Sequence, residues 1–86
     1  MPKSVVSDAY KLAVEYLVEV RKRQGITQVE LARRLGRTQQ FVSFVETRER
    51  RLDLIEFRAF ALALGQDPMQ AVAEVFARLP PEHRGG

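Results

Sequence analysis

The sequence predicts an all-α fold, a compact bundle of five helices, and three observations carry that expectation. The apolar residues recur at helical spacing and no run alternates with period two. Breaks fall at Gly25, Gly36, Arg48–Arg51, Gly65 and Pro80, and capping residues stand just after most of them. The linkers between breaks are too short to separate a second domain. We therefore expect a single domain over residues 1–79, with a flexible tail over 80–86 that holds Pro80-Pro81, His83 and the Gly-Gly end.

The first helix is expected from about Ser7 to Gln24, with Ala9, Ala13, Leu17 and Val20 on its core face and a second apolar line at Tyr10, Val14 and Val18. Gly25 stands where the left-handed residue after a helix belongs. Thr27 opens the second helix with Glu30 three residues later, the spacing of a capping box in which hydroxyl and carboxylate each satisfy an orphan amide. Leu31, Ala32 and Leu35 face inward, and Gly36 ends the helix. Thr38 caps the third, Gln39 to about Glu46. Asp53 caps the fourth, with Glu56 completing a second box and Leu54, Phe57, Ala61 and Leu64 as its inner stripe. Gly65 stops it. Asp67-Pro68 starts the fifth with proline at the first helical position, where a missing amide costs nothing. Met69, Val72, Ala73, Phe76 and Leu79 form its stripe.

Eighty-six residues sit at the small end of what folds alone. Such a domain buries roughly 60–65% of the surface its unfolded chain exposes, so oligomerisation would help it. There is no cysteine, which excludes disulfides and thiolate metal sites. The one histidine, His83, has no second ligand nearby in sequence. No apolar run approaches the ~18–20 residues of a membrane span and the start lacks a signal-peptide core. A soluble, cytoplasmic protein that associates with the nucleoid when bound to DNA is expected, with no cofactor and no metal. A phosphate loop, a histidine constellation and a converging carboxylate pair are all missing, and capping accounts for Glu30 and Glu56. An enzyme is not expected.

The formal net charge of +3 hides an asymmetry. From Arg21 to Arg51 there are nine Lys/Arg against three Glu, a net of +6, while the remainder nets −3. Segregated positive charge on a small domain is an electrostatic footprint for a polyanion.

Residues 27–46 spell two short helices joined at Gly36, a helix-turn-helix suited to the major groove of DNA. At ~100° per residue, Thr38, Val42 and Val45 cluster on one side of the third helix, which must pack on the core. Gln40, Ser43, Phe44 and Thr47 point away, and Gln39 lies on the flank at the N-terminal end. A glutamine amide both donates and accepts, which matches the N6/N7 edge of adenine. Gln39, Gln40, Ser43 and Phe44 are therefore the candidate base contacts, Phe44 toward thymine methyl groups. Phe41, borderline in angle, is expected to shield the junction of the second and third helices. Candidate phosphate contacts are Gln28, Arg37, Thr38, Thr47, Arg48, Arg50 and Arg51. Gln28 lies in the first turn of the second helix, where free amides favour an anion, and can also brace Gln39 across the turn. Arg33 and Arg34 are assigned to an exposed helical face.

From about Leu17 to Leu64 the sequence resembles the Cro/C1-type helix-turn-helix family, the xenobiotic-response-element class of small repressors. The resemblance rests on Arg21, Gly25-Ile26-Thr27-Gln28, Leu31-Ala32, Leu35-Gly36, Thr38-Gln39-Gln40, Ser43, Val45-Glu46 and Leu64-Gly65. It implies a lambda-repressor-like bundle that binds double-stranded operator DNA, usually as a symmetric dimer. Gln28 would then touch phosphate, Gln39, Gln40 and Phe44 would face bases, and Arg21 and Glu46 would be structural partners of each other. Two positions depart from the pattern: Arg48 stands where the family usually has glycine, and Phe44 where polar or basic residues are commoner.

Two-fold DNA sites need a two-fold protein, and the fifth helix supplies the candidate homodimer interface: Met69, Val72, Val75, Phe76 and Leu79. The apolar line of the first helix is a second candidate. The leading functional reading is a sequence-specific transcriptional regulator, a repressor that binds a roughly palindromic operator. The other is an antitoxin-like or regulatory subunit that acts mainly through a protein partner.

Overall fold

Five helices follow in the expected order: α1 (Val5–Arg23), α2 (Gln28–Leu35), α3 (Gln39–Glu46), α4 (Leu54–Ala63) and α5 (Pro68–Arg78). The structure, a computed structural model, describes residues 5–80, and of 5–8 the backbone alone. The tail expected over 80–86, with His83, lies outside the described residues apart from Pro80. No strand occurs among the described residues, and no helix among them is long and apolar enough to cross a membrane.

Local chemistry sets the helix starts. Thr27, Thr38, Asp53 and Asp67 each accept a backbone N–H from their helix's first turn. The box at α4 is reciprocal: Asp53 accepts from Glu56 N at 2.7 Å, and Glu56 accepts from Asp53 N at 3.0 Å. The box expected at α2 is only half made. Thr27 accepts from Glu30 N, but the Glu30 carboxylate takes Arg33 at 2.6 Å and Arg34 at 2.9 Å instead. Charged donors three and four residues along the helix outcompete a single backbone amide. The two guanidiniums draw the Glu30 carboxyl down to about 2. Arg34 also donates to the Ala63 carbonyl at 2.9 Å, tying α2 to the exposed end of α4.

The core gathers Tyr16, Leu17 and Val20 of α1, Leu31 and Ala32 of α2, Val42 and Val45 of α3, Phe60, Ala61 and Leu64 around α4, and Ala71 and Val75 of α5. Three expectations are corrected. On α1, Val14 and Tyr16 are buried, so the core face is wider than the expected stripe. On α4, Phe60 is buried while Leu54 is 73% exposed. Leu54 is the first residue of its helix and stands on the rim of an open groove between α1, α4 and α5. On α5, Ala71 and Val75 face inward while Met69, Ala73 and Phe76 are exposed. Gln70, Glu74 and Arg78 give that helix one polar face, but its apolar arc is wider than a single packed face, so periodicity alone could not orient it. Val75, expected at a dimer interface, is occupied by its own protomer's core. Phe41 stands beside Leu35 and Arg37 at the α2–α3 junction, and it also packs on Phe60 of α4, with ring centroids 6.0 Å apart.

The α3–α4 loop keeps the shape a glycine would give it. Arg48 adopts φ +66°, the left-handed region, while Glu49 N and Arg50 N both donate to the Phe44 carbonyl. A Cβ in that region costs ~1–2 kcal/mol, and glycine's extra freedom when unfolded returns part of it. Arg48→Gly should therefore stabilise the protein by about 0.5–1 kcal/mol, a rise of a few degrees in thermal midpoint. An unchanged or lower midpoint in calorimetry would count against the strain.

Candidate nucleic-acid interface

The corner between α2 and α3 is built by three adjacent residues. Gly36 takes φ +69° and donates back into α2, Arg37 N donates to the Ala32 carbonyl at 3.0 Å, and Thr38 caps α3. Only a residue without a Cβ reaches that dihedral at no cost. α3 is then clamped by Val42 and Val45, 0% and 1% exposed, and turns its other side outward. Gln39, Gln40, Phe44 and Thr47 are exposed there and Ser43 is half-buried. Each candidate base contact thus lies on the accessible side of α3, and Thr38 lies at its exposed start.

A hydrogen-bonded chain runs from the core to this edge. Arg21, nearly buried, forks onto Glu46 through Nε at 2.6 Å and Nη2 at 2.9 Å, and its Nη1 donates to the Ile26 carbonyl at 2.8 Å. Gln28 Nε2 donates to Glu46 Oε1 at 2.8 Å, and Gln39 Nε2 donates to Gln28 Oε1 at 2.7 Å. Donor and acceptor chemistry fixes the direction of each amide. A carboxylate only accepts, so Gln28 must turn its NH2 toward Glu46 and its carbonyl toward Gln39. Gln39 is left with a free carbonyl and one free N–H. That is the donor–acceptor pair an adenine edge requires.

Gln28 therefore does brace Gln39, and both ends of its amide are engaged within the protein. The pairing of Arg21 with Glu46 implied by the family resemblance is present. What the sequence reading missed is the bond from Glu46 to Gln28, which makes that pair the root of the chain.

The cations around the edge differ in how free they are. Arg37 stacks its guanidinium 3.8 Å from the centre of the Phe41 ring, which holds its charged end beside the turn. Arg50 forks onto Glu56 at 3.0 and 2.9 Å and also donates to the Arg51 carbonyl. Their bond raises the Arg50 pKa and lowers that of Glu56. Arg51 turns toward α1 and stacks 4.6 Å from the Tyr10 ring, whose hydroxyl accepts from Leu52 N. Arg48 is exposed and makes no side-chain hydrogen bond or ion pair among the described residues. Thr47 donates to Glu49 Oε2 at 3.0 Å, an acidic neighbour that the sequence reading did not weigh.

Residues 17–76 match the family model described as helix-turn-helix, starting where the sequence resemblance starts and continuing past Leu64 into α5. Among solved structures, an XRE-family like protein from Pseudomonas syringae pv. tomato str. DC3000 is similar, with a TM-score of 0.82 at 45% sequence identity over 88% of this chain and 93% of that one. No curated protein matches the sequence. A buried-side α3, an amide edge held from behind and a family match over most of the chain agree: it belongs to the Cro/C1-type helix-turn-helix family of DNA-binding regulators.

Proposed function

We propose that the protein is a transcriptional repressor that binds a roughly palindromic operator as a homodimer, with α3 of each protomer in the major groove. The observation that carries this reading is the chain from Arg21 through Glu46 and Gln28 to Gln39, which holds a base-facing amide in one orientation before DNA arrives. Preorganised contacts lose less side-chain freedom on binding. Gln39 and Gln40 read adenine edges, Ser43 adds a hydroxyl, and Phe44 meets thymine methyls. Thr38, Arg37, Thr47 and Arg48 flank the groove as phosphate contacts. Gln28 adds its remaining N–H and the N-terminus of α2. Arg50 and Arg51 reach phosphate only by leaving Glu56 and Tyr10.

Selecting sites from randomised duplexes with the purified protein tests this directly. The enriched motif should be an inverted repeat of A·T-containing half-sites about one helical turn apart. A folded protein that enriches nothing at low ionic strength would sink the proposal. Two substitutions separate reading from anchoring. Gln40→Ala should lose ~1–3 kcal/mol of discrimination at one base pair, while binding to random DNA stays as it was. Arg48→Gly should weaken binding to every duplex and reduce the slope of log K against log salt by about 0.9 per protomer. Equal losses on specific and random DNA for Gln40→Ala would remove its base-reading role.

A second reading, the antitoxin-like or regulatory subunit, is favoured by one feature, the apolar surface on α4 and α5.

A further inference from the structure

The polar face of α5 borders a cleft of about 420 Å³ against α1, on a part of the molecule that the operator reading does not use. Gln70, Glu74 and Arg78 follow one another at four-residue spacing along α5. Tyr16 and Arg23 line the cleft from α1, about two helical turns apart. Gly65, Gln66 and Asp67 complete it from the α4–α5 loop, and no residue of α2 or α3 lines it. Small-molecule sites occupy ~300–1,000 Å³.

One group in this cleft has no role in the fold. Tyr16 is 5% exposed, yet its hydroxyl makes no hydrogen bond among the described residues. The hydroxyl of Tyr10, by contrast, accepts from Leu52 N. Buried polar groups are nearly always paired, so an exception asks for a partner. Burial raises the Tyr16 pKa, Glu74 adds to the rise, and Arg23 and Arg78 oppose it. All three charges line the cleft, so the hydroxyl faces it. It is a neutral phenol there, able both to donate and to accept.

The charges of the cleft are balanced but not joined. Arg78 is already held by Glu19, at 2.8 and 3.2 Å, and Asp67 caps α5. Arg23 and Glu74 make no side-chain hydrogen bond or ion pair among the described residues. A ligand that is only an anion meets Arg23 but is repelled by Glu74, and a cation meets the reverse. A molecule with both charges satisfies both, and the phenol beside them can donate to its carboxylate.

We propose that the cleft between α1 and α5 binds a small zwitterion, a free amino acid with a polar side chain. Its carboxylate takes Arg23 and the Tyr16 hydroxyl, its ammonium takes Glu74, and the Gln66 and Gln70 amides meet its side chain. The site contains no residue assigned to DNA, so it stands or falls apart from the operator reading.

Amide proton–nitrogen correlation spectra of the full, isotope-labelled chain, titrated with free glutamine and no DNA, test it. The amides of Gly65, Gln66 and Glu74 should shift together and saturate, with a dissociation constant on the order of 1 mM, ordinary for so small a ligand. Glutaramate lacks the amine and the amide of γ-aminobutyric acid lacks the carboxylate. Each should bind at least about 10-fold more weakly, as should inorganic phosphate. Tyr16→Phe and Arg23→Gln should each weaken glutamine binding by about 10-fold. Tyr16→Phe should also leave the thermal midpoint without ligand unchanged or higher, because the hydroxyl it removes bonds nothing in the fold. A midpoint several degrees lower would assign the hydroxyl to the fold and overturn the site. Cleft amides unmoved by glutamine and by a panel of other free amino acids overturn the proposal. Phosphate or glutaramate binding as well as glutamine overturns it, and so do two variants that both bind like the wild type. Tyr16→Phe should select the same duplex motif as the wild type, so failure of this site leaves the operator reading untouched.

Discussion

Val42→Asp is expected to abolish the fold, leaving little helical circular dichroism and no thermal transition. Val42 is 0% exposed, between α3 and the core. Losing its burial removes ~1.5–3 kcal/mol. Leaving a carboxylate there without a partner adds several more, and protonating it to escape that cost is itself unfavourable. A domain of this size holds only ~5–15 kcal/mol in total, and the low end suits a small chain. Val45→Asp, at 1% exposure, should do the same. Phe44→Asp is the control: it lies between these two in sequence, points outward at 39% exposure and should fold. A cooperatively melting Val42→Asp variant would mean that α3 is not held by this face, and the orientation of Gln39 and Gln40 would go with it.

Those same two valines show why α3 was legible in the sequence. They are its only aliphatic pair, and both neighbours of each are larger or polar, so a single rotation buries them. Thr38 then fixed the register of the helix start, and Gln39, Gln40 and Phe44 had to lie outside. α5 gave a less definite answer. Gln70, Glu74 and Arg78 make one polar face, but Ala71, Val72, Ala73, Val75 and Phe76 spread over an arc too broad to pick out one inward side, and tertiary packing chose the Ala71–Val75 edge of it. The Glu30 box failed for another reason. Its spacing from Thr27 is correct, but Arg33 and Arg34 compete for the same carboxylate, and a pattern of two residues does not contain its competitors. The Glu46–Gln28 bond was invisible because its partners are eighteen residues apart and meet only once the corner forms.

Glu46→Ala is the second large effect, and it links stability to reading. The substitution leaves Arg21 nearly buried with the Ile26 carbonyl as its remaining partner. Removing one member of a buried pair costs ~3–5 kcal/mol. With both side chains about a tenth exposed, the low end, about 3 kcal/mol, is expected in denaturant titration. The second consequence is at the DNA. Without an acceptor behind it, Gln28 can turn its amide either way, and Gln39 then presents either of two edges. Selection from randomised duplexes should find the adenine preference at that one position relaxed, with the other positions kept. The double variant Arg21→Met/Glu46→Leu separates the two effects. It removes both charges and refills their volume, so stability should return to within about 1 kcal/mol of wild type, since buried ion pairs are often replaceable by apolar groups. Base preference at the Gln39 position should stay relaxed, because no acceptor orients Gln28. If the double variant recovers both stability and preference, Gln39 is positioned by packing alone and the chain from Arg21 does not govern what it reads.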